Sequence, residues 1–200
     1  MNKQLSEIVV PDEQLCDDEL TQDEALSLLQ GSSRKTRQNA ALVLNEISKH
    51  HPESLAYCIP QLVQALEHPE AQTRWCVLDA LTSLVPIRPD ECEKALDGAE
   101  DSLFDERHGI VREKALCFLC RIGARSPELS RMVWPSLDEA FQCYHGNPEF
   151  AGMLTGFLEF AQGDLDPSVK AEFSQRIAFD ANNTKGVFGK RAQQILSALE

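Results

Sequence analysis

Two hundred residues, 42% of them apolar, are enough for a substantial buried core and exclude a globally disordered chain. A formal net charge of −13, from 19 Lys and Arg against 32 Asp and Glu, argues against nucleic acid and against anionic membrane surfaces, since both are bound by neutralising cations. The same field keeps a protein soluble and is compatible with a basic protein partner, which it would steer inward.

In chain order, residues 1–20 read as a flexible acidic arm. Only Lys3 is basic there, while Asp12, Glu13, Asp17, Asp18 and Glu19 crowd together. The opening MNKQLSEIVVPDEQ has no apolar stretch of signal-peptide length, and no later run approaches the ~18 uncharged apolar residues of a membrane span. A cytoplasmic protein is expected. The seven Cys (16, 58, 76, 92, 117, 120 and 143) are odd in number and scattered through helical pattern, as reduced thiols acting as small apolar residues would be.

The first helix is expected over 21–30, TQDEALSLLQ, with Thr21 as N-cap. After the break GSS comes Arg37, which opens RQNAALVLNEI. A second pair follows, LAYCIPQLVQALEH over 55–68 and then Arg74 opening RWCVLDALTSL. The third runs from DECEKALDGAEDSLFDE over 90–106 to Arg112, which opens REKALCFLCRI. The fourth begins with SRMVWPSLDEAFQCYH over 130–145, and the fifth with PSVKAEFSQRIAFDA over 167–181, capped by Asp166. Pro60 and Pro135 stand at matching places in the second and fourth pairs and are expected to bend their helices alike. No alternating β-branched run bounded by turns is present.

Arg37, Arg74 and Arg112 recur at intervals of 37 and 38 residues. Three, seven and ten residues after each stand Ala40, Leu44 and Ile47; Val77, Leu81 and Leu84; Ala115, Leu119 and Ile122. Those offsets share one face of a 3.6-residue helix. Met153, Phe157 and Phe160 continue the pattern from a slot at Phe150, and Ala192, Leu196 and Leu199 from a slot at Gly189. Self-similarity at a period of roughly 20–50 residues marks stacked repeats, each burying its apolar face on its neighbours. The expected fold is all-α, with repeat units at about 21–49, 54–86, 90–125, 128–163 and 167–200 forming a single domain over 21–200.

Helix pairs with Leu, Pro and Leu in the first helix and Arg-x-x-Ala-x-x-x-Leu in the second resemble HEAT repeats over about 22–200. The resemblance is strongest in IPQLVQALEHPEAQTRWCVLDALTSLV and SLFDERHGIVREKALCFLCRIG. Asp105, Glu106, Val111 and Arg112 of the third unit carry the family's turn acid and Val-Arg step, whereas Thr36 and Thr73 replace that Val in the first two. The resemblance implies a right-handed α-solenoid, a HEAT-like, armadillo-type superhelix, of about five helix pairs. It implies a non-enzymatic scaffold or adaptor with no cofactor, whose partner is another protein or peptide.

In such stacks the second helices line the concave face. Offsets of one, five and eight from the Arg slot lie opposite the core-facing offsets. They place Gln38, Leu42 and Asn45; Trp75, Asp79 and Thr82; Glu113, Cys117 and Cys120; and Ala151, Thr155 and Leu158 on that face. Trp75 beside Asp79 is the kind of aromatic anchor with an acidic rim that interfaces use. The candidate partner-binding residues are therefore Leu42, Trp75, Asp79, Glu113, Thr155 and Leu158. Arg37, Arg74 and Arg112 are expected to form a structural ladder, paired with turn carboxylates and carbonyls, because cations near a helix N-terminus oppose the helix dipole.

Catalytic constellations are lacking. Cys117-x-x-Cys120 and Cys143-x-His145 have zinc-ligand types, but ordinary helical Cys is the preferred reading, and no metal is assigned. No phosphate-cradling Gly motif occurs. Two enzymatic uses of HEAT-like pairs stand as alternatives. One is an alkylpurine DNA glycosylase, which Trp75 and Asp79 would suit but which the scarcity of inner basic residues opposes. The other is a bilin lyase, for which no chromophore cleft is identifiable.

Overall fold

The computed structural model describes residues 20–200, so nearly all of the acidic arm expected at 1–20 lies outside the described residues. The described chain is helical, with no strand among the described residues. It divides into two compact units, one ending at Ala95 and the other beginning at Leu96.

The first unit contains α1 (Gln22–Leu29), α2 (Arg34–His50), a 3-10 turn (Pro52–Leu55), α3 (Ile59–Ala65), α4 (Ala71–Leu84) and α5 (Pro89–Cys92). Thr21 and Glu24 close a reciprocal capping box at α1, and Ser33 caps α2 by accepting from the Thr36 N–H. α2 packs on α1 and on α4, so the two Arg-bearing helices of this unit are neighbours. Ala40, Leu44 and Ile47 of α2, and Val77, Leu81 and Leu84 of α4, are all buried at the expected offsets. Each fully buried Leu among them is worth roughly 1.5–3 kcal/mol of transfer free energy.

The second unit contains α6 (Leu96–Leu103), α7 (Gly109–Gly123), α8 (Pro127–Tyr144), α9 (Phe150–Ala161), α10 (Pro167–Asn183) and α11 (Gly186–Leu199). α9 packs against both α7 and α11, and α8 against α10. Polar bonds between these helices carry the repeat period directly. Ser136 to Glu100, Trp134 to Glu172 and Arg176 to Asp138 span 36, 38 and 38 residues.

Four expectations are revised. The helix expected over 55–68 is divided into the 3-10 turn and α3, and Pro60 is the second residue of α3, where its missing N–H leaves no helical bond unmade. Pro135 by contrast lies inside the continuous α8, so the two prolines do not play one role. The element expected over 90–106 is likewise split into α5, a 3-10 turn (Glu93–Ala95) and α6. In α11 Ala192 and Leu199 are buried as expected, but between them Ile195, at 0% exposure, takes the buried place expected of Leu196, which is only half-buried.

The slot pattern shifts once more in α9. Arg37, Arg74, Arg112 and Gly189 are each the fourth residue of their helix, but Phe150 is the first of α9. Because three residues are nearly one helical turn, Met153, Phe157 and Phe160 still face the core.

Candidate functional site

Arg37 and Arg112 are anchored at the starts of their second helices. Arg37 donates from Nη1 to the Gly31 carbonyl (2.7 Å) and from Nε and Nη2 to the Glu70 carboxylate. Arg112 repeats the pattern, from Nη1 to the Asp105 carbonyl (2.7 Å) and from Nε to Glu149 Oε1 (2.8 Å), with Nη2 on the same carboxylate. Glu70 and Glu149 are the N-cap residues of α4 and α9, so each Arg ties its own interhelix turn to the cap of the next second helix. The residue capping α7, after Arg74, is His108.

This geometry explains the acidity of both glutamates. The hydrogen bond from Arg37 holds the Glu70 carboxyl below its usual range against the opposing effect of burial. Burial works to raise Glu149, but the backbone hydrogen bond and Arg112 outweigh it and the group is also lowered. The Arg112 guanidinium further sits over the Tyr144 ring, 4.8 Å from its centroid.

The candidate partner-binding residues fall on two helical faces. In the first unit, Leu42 is on α2 and Trp75 and Asp79 are on the adjoining α4; all three are half-buried. Trp75 and Asp79 are four residues apart and so share one side of α4. Asn45, on the same expected stripe, is instead buried at 2% exposure.

In the second unit, Glu113 and Cys117 of α7 lie against α9. The Glu113 carboxylate occupies the space where a side chain on Gly152 would begin, and a Cβ on Gly156 would stand 3.1 Å from Cys117 Cα. The two glycines, four apart, let the helices approach closely along this line. Thr155 is exposed and Leu158 half-buried on the next part of α9. Leu158 lines an open cleft with Gln162 and, from α11, with Lys190, Gln193, Gln194, Ser197 and Ala198. Only Leu158 of these was expected. Yet Lys190, Gln194 and Ser197 stand one, five and eight residues after Gly189, so extending the inner-face offsets to the fifth slot would have found them.

The Cys and His candidates are differently placed. Cys120 is completely buried, and burial pushes its thiol well above the ordinary value. Cys143 is exposed on α8. His145, at the end of that helix, contacts both Asp180 carboxylate oxygens at 3.1 and 3.2 Å and packs on Phe141, Phe150 and Phe188. Among the described residues no three His, Cys, Asp or Glu side chains are grouped to hold a metal ion. No described helix is long and apolar enough to cross a membrane.

Phe157 and Phe160 were expected on the core face, but not the aromatic cluster they join. Trp134 is 5% exposed, stacks on Phe160 (centroids 6.1 Å apart, planes 6° apart), meets Phe173 at 5.1 Å and donates its indole N–H to Glu172 (2.8 Å). Phe141, Phe150 and Phe157 continue the cluster, edge to face.

No family model matches the chain, and no curated protein matches it. Solved structures do. An engineered protein is 16% identical, with a TM-score of 0.70 over 89% of this chain and 78% of that one. Computationally designed armadillo repeat proteins for modular peptide recognition are 15% identical, with a TM-score of 0.68 over 88% of this chain and 81% of that one. A designed armadillo repeat protein in complex with the peptide (KR)4 is 16% identical, with a TM-score of 0.69 over the same shares of 88% and 81%. The chain has the fold of a HEAT- or armadillo-type helical repeat.

Proposed function

We propose that this protein is a non-enzymatic scaffold that binds a peptide segment of another protein, with basic segments preferred. The observation that carries the reading is Trp75 with Asp79 one turn later on α4, both half-buried, with Leu42 half-buried on the adjoining α2. A half-exposed indole offers a large rigid contact at low entropic cost, and a neighbouring carboxylate favours a cation. The net charge of −13 raises the local concentration of cationic partners. Designed repeat proteins of the same fold support the reading, one of them in complex with a Lys/Arg peptide. In this reading the Arg–Glu clamps hold the repeats in register and take no part in recognition.

The test is fluorescence anisotropy with labelled (KR)4 peptide at two salt concentrations. Saturable binding that weakens with salt is expected. Trp75→Ala should reduce affinity about tenfold, with an unchanged circular dichroism spectrum. Equal affinity for wild type and Trp75→Ala would remove the site from α4. Equal affinity for (KR)4 and a neutral peptide would remove the charge preference.

A further inference from the structure

The cations of this protein are distributed unevenly. Arg37, Arg112, Arg121, Arg131 and Arg176 are all bound to carboxylates. Residues 181–199 hold Lys185, Lys190 and Arg191 and not one Asp or Glu, in a chain whose net charge is −13. Of the carboxylates around this stretch, Asp180 faces His145 and Glu159 of α9 is paired with Arg121, while Glu200 follows directly after it.

Lys190 lines the α9–α11 cleft, together with the side-chain amides of Gln162 and Gln194. Among the described residues none of these three side chains forms a hydrogen bond or an ion pair. Gln193 is engaged, donating to the Ala181 carbonyl at 3.2 Å. Leu158 and Ala198 add apolar surface, and the cleft lies wholly within the second unit.

We propose that this cleft is a second docking site, for an acidic peptide segment carrying an aliphatic side chain. Leu158 and Ala198 receive the aliphatic group. Lys190 meets a carboxylate, and the Gln162 and Gln194 amides, each both donor and acceptor, bond to the peptide backbone. Charge complementarity selects the occupant: a basic segment would bring like charges against Lys190, with Lys185 and Arg191 close by in sequence. The protein would thus hold two peptides of opposite charge, a basic one on the α2–α4 face and an acidic one on α9–α11. The second site stands without the first, because it uses none of Leu42, Trp75 and Asp79.

The test uses the full chain and two labelled octapeptides, one of Asp and Glu with a central Leu, the other its Asn/Gln counterpart. The acidic peptide should bind saturably and at least about tenfold more tightly than the neutral one. Lys190→Glu should weaken it about tenfold, with (KR)4 binding unchanged, and Leu158→Ala should weaken it severalfold. Lys190 is exposed on the helix, so its variant should keep the wild-type melting temperature, which separates lost binding from lost folding. Equal binding of the acidic and neutral peptides, or of wild type and Lys190→Glu, would overturn the proposal. Loss of (KR)4 binding alone, in Trp75→Ala, would touch only the first site.

Discussion

The two units follow one backbone pattern and fill it differently. The first has an aliphatic core of Leu, Ala, Val and Ile, and its only Trp stays half-buried on α4. The second places Trp134, Phe141, Phe150, Phe157, Phe160 and Phe173 in contact with one another. Both keep an Arg clamped to the next helix cap, Arg37 to Glu70 and Arg112 to Glu149. Where the Arg series lapses, at Phe150, aromatic packing takes over: Phe150 is 1% exposed and meets Phe141 at 5.2 Å and Phe188 at 5.7 Å. A helical repeat therefore needs its neighbour held in register but does not need one kind of contact to do it. A charged clamp at the helix start and a cluster of rings both supply the required interface.

The largest test of this contrast is in the cores. Phe157→Ala should cost about 3–5 kcal/mol, read by chemical denaturation, because its ring is fully buried and bridges Phe141 and Phe173. Leu81→Ala in the first unit should cost about 2–5 kcal/mol, toward the lower end if the aliphatic core collapses around the gap. A larger loss for Leu81→Ala than for Phe157→Ala would break the contrast.

The clamps come next. Glu70→Ala and Glu149→Ala should each cost about 2–3 kcal/mol, because the guanidinium left behind is mostly buried. That is less than for a fully buried pair, since 12% and 13% of the two Arg side chains remain exposed. Matched losses would show that the two units use the clamp equally; a loss at one site only would break the parallel.

A smaller effect distinguishes the two clamps. Tyr144→Leu should lose about 0.5–1 kcal/mol of cation–π attraction beyond the loss in Tyr144→Phe, which keeps the ring under Arg112. Tyr144→Phe gives up only the bond to the Leu103 carbonyl. Differential melting temperatures of the two variants measure the ring contribution, and identical values would remove it.

The smallest effect is on pH dependence. Folding lowers Glu70 below its ordinary value of 4.5, so the folded state favours the carboxylate. Its contribution is therefore full above about pH 4.5 and is lost as pH falls through the lower folded value. Glu70→Gln should be less stable than wild type at neutral pH, with the gap closing below that point. A constant gap from pH 7 to pH 3 would contradict it.

Legibility differed between fold and site. Nine core positions predicted from three Arg slots are buried, because the offset rule depends only on helical geometry and the demand that one face be covered. The same rule was less secure at the C-terminal helix, where Ile195 rather than Leu196 is the buried residue. Both are large and apolar, and both lie close to the face that Ala192 and Leu199 bury. Trp134 could not be told from an exposed Trp by spacing alone; its burial depends on Phe160 and Phe173, which come from other helices. Glu113 and Cys117 were expected on the inner face, but their position against α9 rests on Gly152 and Gly156, whose missing side chains leave that space to the neighbouring helix.

The helical repeat, its period, the recurring arginines and most of the apolar face were legible in the residues alone, since these follow from local periodicity that needs no partner to be read. Only the tertiary structure decided which glutamates receive the arginines, how the aromatic residues cluster, and that Leu158 shares a cleft with Lys190. Those are contacts between residues on different helices, the arginine clamps spanning 33 and 37 positions, and which of several polar or apolar candidates meet is settled by how closely one helix approaches the next.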